Sequence, residues 1–334
     1  MGLLRVTGTL DLNQFWPAGQ SDADTTKIIL QVGLNAFRFQ PHPGAAFSVT
    51  KVFEGAKVRG SFTKAPIDTK RRITIRLQGI DAPELHYRPA TLSKSATATQ
   101  RAKFKEVNKE YRQHLGESGT VALSQLLKGG NSTTLQCTVK TYVDTPNDVF
   151  DTYGRFVGDV LVRIGKKNID INLWLARQGW AFPTFYTSMF DSEIQAFLTA
   201  AATGRTKGRI WTEYHKKIPG FDPSLVFRRG GPINAAADPG PLTLPKLFRR
   251  QCTWRAYKKA GVTSNNFKGY LNEKRDALML TSDFLVNGVH SSAPRFLDEF
   301  LKADGTFTVR PEDMVFMEKP STLVDASGKK ITSW

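Results

Sequence analysis

The sequence predicts an α+β architecture, mainly a β barrel with packed helices, followed by a smaller mixed unit. Three observations carry this. Short runs of period-two alternation fill roughly the first eighty residues, helical spacing enters only from about residue 93, and the composition turns Pro- and Gly-rich after Trp211. Strands first and helices later argue against alternating βαβ units and leave an antiparallel barrel or an α+β domain. With 334 residues, 40% hydrophobic and 11% aromatic, the chain can bury a sizeable core, and no run approaches the ~18 apolar residues of a membrane helix.

The elements follow in order. Lys27 to Val32, Ala36 to Gln40, Phe47 to Phe53 and Arg72 to Leu77 alternate apolar and polar residues between Gly and Pro breaks, the pattern of half-buried strands. Residues 93–115 hold no Gly or Pro and space Phe104, Val107, Tyr111 and Leu115 at helical intervals, which predicts a charged amphipathic helix. A second helix is expected over Thr120 to Leu127, then strands over Leu135 to Val143 and Arg155 to Arg163, the latter a hairpin partner of Lys167 to Ile169. A helix over Ile171 to Gln178 should end at Gly179, and another over Asp191 to Ala202 should end before Gly204. Pro219 to Pro245 holds six prolines and reads as a linker or irregular wrap, 216–245. The accessory region 246–334 mixes a basic helical start from Phe248, an apolar run over Ala277 to Val289 and a strand pair within Phe307 to Val324.

Charge narrows the partners. Lys plus Arg number 47 against 30 Asp plus Glu, a net charge of +17, and both halves are basic, with 28 to 18 in 1–215 and 19 to 12 in 216–334. Such an excess favours polyanions through counterion release and says nothing of chemistry. Cys137 and Cys252 form no CxxC and read as buried free thiols. No apolar leader follows Met1, and Val6 stands where a myristoylation signal prefers Ser or Thr, so a cytoplasmic location is expected, with signal-independent export as the other route.

The densest chemical signal is Arg76-Leu-Gln-Gly-Ile-Asp-Ala-Pro-Glu84, a basic strand residue followed by two carboxylates around a proline. Oxygen ligands of this kind suit hard cations, and a surface turn with an ion pair is the plain alternative. Strict alternation would send Arg76 and Asp81 to opposite faces, so a bulge or turn near Gly79 has to realign them. Asp151-Thr-Tyr-Gly-Arg155 delivers Tyr153 and Arg155 at the head of a strand, and Ser21-Asp-Ala-Asp-Thr25 is an acidic turn before another.

Taken in order, DxDT, R-x4-D-x-P-E and YGR, then Ile171-Asn-Leu-Trp-Leu-Ala-Arg-Gln-Gly-Trp-Ala and Lys207-Gly-Arg-Ile-Trp, resemble the staphylococcal nuclease (thermonuclease) family over about residues 20–213. The resemblance implies a five-stranded OB-fold-like barrel across 1–215. On this reading 34–70 is an inserted β segment and the helix of 93–115 a second insertion, either a lid on the cleft or a decoration packed on the barrel. It further implies a calcium ion, with Mg2+ or Mn2+ as substitutes, held by Asp24, Asp81 and the main-chain carbonyl of Ala82. Glu84 matches the general base, Arg76 and Arg155 match the phosphate-holding arginines, and Tyr153 would line the pocket. The implied reaction is hydrolysis of DNA or RNA phosphodiesters with little sequence preference, leaving 3′-phosphates.

Two departures qualify the resemblance. Asp24 and Arg76 are further apart than in the family, and the better-spaced turn Glu54-Gly-Ala-Lys57 would put Ala56 in place of a metal ligand. The family's tyrosine after the RQG helix falls on Phe185 or Tyr186. A catalytically weak or inactive nuclease-like module that binds nucleic acid or protein is the rival reading, and Asp24 discriminates: it should lie near Asp81 in an enzyme. Residues 246–334 are expected to be able to recruit a protein partner.

Overall fold

The computed structural model describes all residues except 19, 32–35, 130–132, 288–292 and 320. The end of the strand expected to reach Val32, the start of the insertion at 34–35, the close of the apolar run at 288–289 and residue 320 of the expected strand pair lie outside the described residues.

The strands of the N-terminal part are β1 (Gly2–Asp11), β2 (Thr25–Leu30), β3 (Phe37–Gln40), β4 (Ser48–Val49), β5 (Lys57–Arg59), β6 (Thr63–Lys64), β7 (Arg72–Leu77) and β8 (Ile80–Asp81). Two helices follow, α1 (Ala98–Val107) and α2 (Gly116–Lys128), then β9 (Thr134–Val143), β10 (Phe156–Ile164), β11 (Lys167–Asp170) and α3 (Ile171–Arg177). After β12 (Phe182–Pro183) and β13 (Phe185–Tyr186) come α4 (Asp191–Thr206) and α5 (Ile210–Glu213). The C-terminal part contains α6 (Pro245–Ala260), α7 (Phe267–Lys274), β14 (Ala277–Leu280), α8 (Thr281–Asn287), β15 (Arg295–Phe296), β16 (Met314–Phe316) and β17 (Thr322–Val324).

Five strands close a barrel in the order β1, β2, β7, β10, β9 and back to β1, with β7 and β10 parallel and the other pairs antiparallel. Closure leaves no edge within the ring and turns one face of every strand inward. The pattern is plain in β1, where Leu4, Val6, Gly8 and Leu10 are buried while the residues alternating with them are more exposed. β1 is long enough to pair with β9 along all ten residues and to share its other edge between β2 and β3. The OB-fold-like mixed barrel is therefore present.

Some elements differ from expectation. The helix expected over 93–115 spans Ala98–Val107, opened by a Thr97–Gln100 capping box. Beyond it Tyr111 exchanges backbone hydrogen bonds with Tyr87, and Leu115 takes a left-handed backbone, so neither belongs to the helical face. Tertiary pairing here overrides a periodic pattern. Nor is α1 a free lid: Phe104 packs with Ala256, Tyr257 and Ala260 of α6. Helix α4 runs past Gly204, which is a packing residue rather than a stop, since a β-carbon there would lie 2.2 Å from the Ala176 carbonyl of α3.

The C-terminal region builds onto the barrel. β13 pairs with β16, β5 of the inserted segment pairs with β17, and Trp334 stacks on Phe39 with ring centroids 4.2 Å apart. Met279, Phe284, Val315 and Leu323 join the barrel core. Phe182 and Ile210 join a second core with Leu247, Leu271 and Leu297. The composition change at 216 thus marks a change in chain character without marking a separate hydrophobic core.

Candidate functional site

The site grows from the β2–β7 pairing. Its register sets Thr25 opposite Arg76, and Leu77 N–H donates to the Asp24 carbonyl at 2.9 Å, so the acidic turn ends beside the Arg strand. Gly79 then turns the chain at φ +75°, with the Phe197 ring where its side chain would be (2.2 Å from an added β-carbon). No other residue type meets both demands cheaply. This turn is the realignment that strand parity requires between Arg76 and Asp81. Short strand β8, paired with β12, fixes Ile80–Asp81, and Asp81 is fully buried.

Arg76 bridges two carboxylates. One of its terminal nitrogens pairs with Asp24, and the other donates to Asp81 Oδ1 at 2.7 Å and to the Ile80 carbonyl at 3.0 Å. Asp24 is tied directly to the next turn, because its Oδ2 accepts the Ala82 N–H at 2.8 Å. Asp24 and Asp81 therefore come together, as the enzyme reading requires. Ala56 instead lines a cavity of about 920 Å³ with Leu30, Phe37, Phe53 and Ile67. The Ala82 methyl is buried in the barrel core.

Arg155, the residue before β10, joins by relay. Thr25 Oγ1 donates to Asp24 Oδ1 at 3.1 Å and accepts from an Arg155 terminal nitrogen at 3.1 Å. Asp151 holds the same arginine through Nε at 2.7 Å. Tyr153 is half exposed beside it, with the guanidinium 5.5 Å from its ring centroid. The inserted β segment and the C-terminal region both buttress this turn: Ser61 N–H donates to the Thr152 carbonyl, and Ser321 Oγ donates to the Asp151 carbonyl.

A third arginine, not foreseen as a site residue, completes the cluster. Arg249 of α6 forks onto Asp81, with nitrogen to oxygen distances of 3.1 and 3.0 Å, and pairs with Glu84 through the same nitrogen that meets Asp81 Oδ1. Three buried carboxylates thus face two guanidiniums. Burial alone would raise Asp81, yet Arg249 and Arg76 outweigh it and hold its carboxyl below the usual range. Glu84 goes the other way, pushed up to about 8, because burial together with Asp22, Asp81 and Asp24 exceeds the pull of Arg249. Tyr186, raised by burial, feels the charges of Arg76, Asp81 and Arg249, whereas Phe185 lies in the barrel core, so the tyrosine that faces the site is Tyr186.

Residues 74–213 match the family model described as staphylococcal nuclease homologue. Over this segment the chain is similar to that family. No curated protein matches the chain. The matched segment of this nuclease-like domain contains Arg76, Asp81, Ala82, Glu84, Tyr153 and Arg155, while Asp24 and Arg249 reach the same cluster from outside it.

The calcium expected of such a domain can be tested against the donors. Asp24, Asp81 and Glu84 are oxygen ligands of the right kind. Their arrangement is not that of a cation site, since both oxygens of Asp81 and one of Glu84 are taken by Arg249, and Asp24 Oδ2 by Arg76 and the Ala82 N–H. Among the described residues no group of three or more His, Cys, Asp or Glu could hold a metal ion. The described arrangement does not fit the ion, and its carboxylates are neutralised by arginines.

Arg249 and Lys246 escaped the sequence reading for a physical reason. A basic stretch opening a helix is ordinarily a solvated face. Here Arg250 forks onto Asp276 at 2.7 Å with each nitrogen, and Lys246 is pushed down to about 8 by burial, with Asp276 opposing. Basic residues next to Phe248 and Cys252 at the start of this helix were the available signal, and a weak one.

Proposed function

We propose that the protein is a phosphodiesterase acting on DNA or RNA with little sequence preference, cutting internally. The observation that supports it most is the joining of Asp24, Arg76, Asp81 and Glu84 at one barrel end, with Arg155 linked through Thr25. In this reading Arg76 and Arg155 meet the scissile phosphate, where planar guanidinium forks stabilise charge on the pentacovalent phosphorus. Ionised Glu84 accepts a proton from the attacking water as the new P–O bond forms and the bond to the leaving oxygen breaks, and the leaving oxygen takes up a proton from solvent to depart as a hydroxyl. Tyr153 borders the phosphate site. The net charge of +17 draws the polyanion, and its affinity should fall steeply with salt.

The finer parts of the proposal are calcium as the ion, Asp24, Asp81 and the Ala82 carbonyl as its ligands after Arg249 withdraws, a cytoplasmic setting, and a protein partner on residues 246–334. Among the described residues no helix is long and apolar enough to cross a membrane. The rival binding module has one observation in its favour, the engagement of Asp81 and Glu84 by Arg249.

The deciding experiment is cleavage of single- and double-stranded DNA and of RNA in calcium, magnesium and EDTA. Calcium-dependent cutting that falls ~10² to 10⁴-fold in Glu84→Gln is expected. Tight binding with no cutting in any metal would establish the binding module instead.

A further inference from the structure

Arg249 reaches the carboxylate centre from a helix that is itself fixed. Pro245 opens α6, Arg250 forks onto Asp276, Gln251 Nε2 donates to the Pro219 carbonyl at 3.0 Å, and Gln113 Nε2 donates to the Thr243 carbonyl at 3.0 Å just before the helix. The Tyr87 hydroxyl meets Thr253 Oγ1 at 3.1 Å on the same helix. The base of the Arg249 side chain is therefore set by several contacts, of which Gln113 also reaches the centre by accepting the Glu84 N–H at 3.1 Å, while the side chain retains about a quarter of its exposure. Its guanidinium lies in the plane best suited to a carboxylate, two nitrogens on the two oxygens of Asp81, with Glu84 as a second acceptor.

A divalent ion would need these same oxygens. Calcium takes carboxylate oxygens at 2.3–2.6 Å, and a guanidinium holding the same oxygens repels it as a like charge in a buried setting. We propose that Arg249 is the built-in counter-cation of this centre, so that the Asp81 and Glu84 oxygens a divalent cation would need are already neutralised by a guanidinium from the C-terminal region. The inference deepens the nuclease reading and rests on its assignment of Asp81 and Glu84 as the centre. It makes the C-terminal helix part of the site, with a counter-cation that lies outside the matched segment.

Calorimetric titration of the full chain with calcium alone, without nucleic acid, tests this. Arg249→Gln should bind calcium at least ten-fold more tightly than the parent, and calcium should raise the melting temperature of Arg249→Gln by more than that of the parent. Adding Asp81→Asn to Arg249→Gln should remove the gain. Should Arg249→Gln fail to fold, Arg249→Lys keeps a positive charge without the planar fork and should still bind calcium more tightly than the parent. Equal calcium affinity in parent and variants, or no calcium binding in any of them, would overturn the proposal. Cutting is read separately: a variant that gains calcium affinity without cutting counts against the nuclease reading alone, and one that cuts with unchanged calcium affinity counts against the counter-cation alone.

Discussion

Asp81 and Glu84 stand three residues apart, and their surroundings push them in opposite directions. Asp81 has a guanidinium on each side and stays ionised, while Glu84 shares one guanidinium and is raised to about 8 by burial. Only the ionised carboxylate accepts a proton, so on the nuclease reading cleavage should rise as pH climbs from 7 toward 9. A pH–rate profile checks this: the parent should gain roughly ten-fold per unit below the pKa and level off above it, and Glu84→Gln should lose the slope. A flat parent profile would remove Glu84 as the base. At this scale the sequence was informative where neighbours in the chain are neighbours in space. Arg76, Asp81 and Glu84 lie within nine positions and are joined by one turn, and Asp24 is brought in by an adjacent strand. Arg249 sits 168 residues from Asp81, and local sequence carries no record of that contact.

Elements show the same division. The alternation that marked β2, β7, β9 and β10 is the direct imprint of a surface with one buried face. Helix ends were less legible. Gly204 reads as a stop, yet the space available decides otherwise, since α3 and α4 approach so closely that Gly204 is their contact point. Gly204→Ala gains ~1 kcal/mol of helix propensity. It also drives a β-carbon to 2.2 Å from the Ala176 carbonyl, and forcing packed backbones apart costs ~1–3 kcal/mol. The clash should win, and thermal unfolding followed by circular dichroism should show a lower melting temperature. A raised melting temperature would mean that α3 can shift freely.

For the whole molecule, the C-terminal region is structural to the barrel as well as adjacent to its site. It supplies β16 to β13, β17 to β5, partners for Phe182 and Ile210, and Arg249 to the centre. Truncation at Gly230 would expose Phe182 and Ile210 and strip β13 of its partner strand. The truncated chain is therefore expected to aggregate or to lose its cooperative melt, read by calorimetry and light scattering. A soluble fragment melting within a few degrees of the full chain would instead make the barrel self-sufficient. Ordered 1–215 and 246–334 segments were legible in composition, but their dependence on one another was not, because periodicity reports that a face is buried and not what buries it.

By itself the sequence determined the barrel with its helices, the basic character that suits a polyanion, and the local motifs that place Arg76, Asp81, Glu84, Tyr153 and Arg155 on two turns. Alternation, turn chemistry and motif spacing are properties of short stretches of chain. The tertiary structure alone decided that Asp24 belongs to the cluster while Ala56 does not, that Tyr186 rather than Phe185 faces it, and that Arg249 neutralises it. Those outcomes depend on strand register, on the turn at Gly79 and on a helix docked from the far end of the chain, which pair residues by position in space and leave no periodic trace.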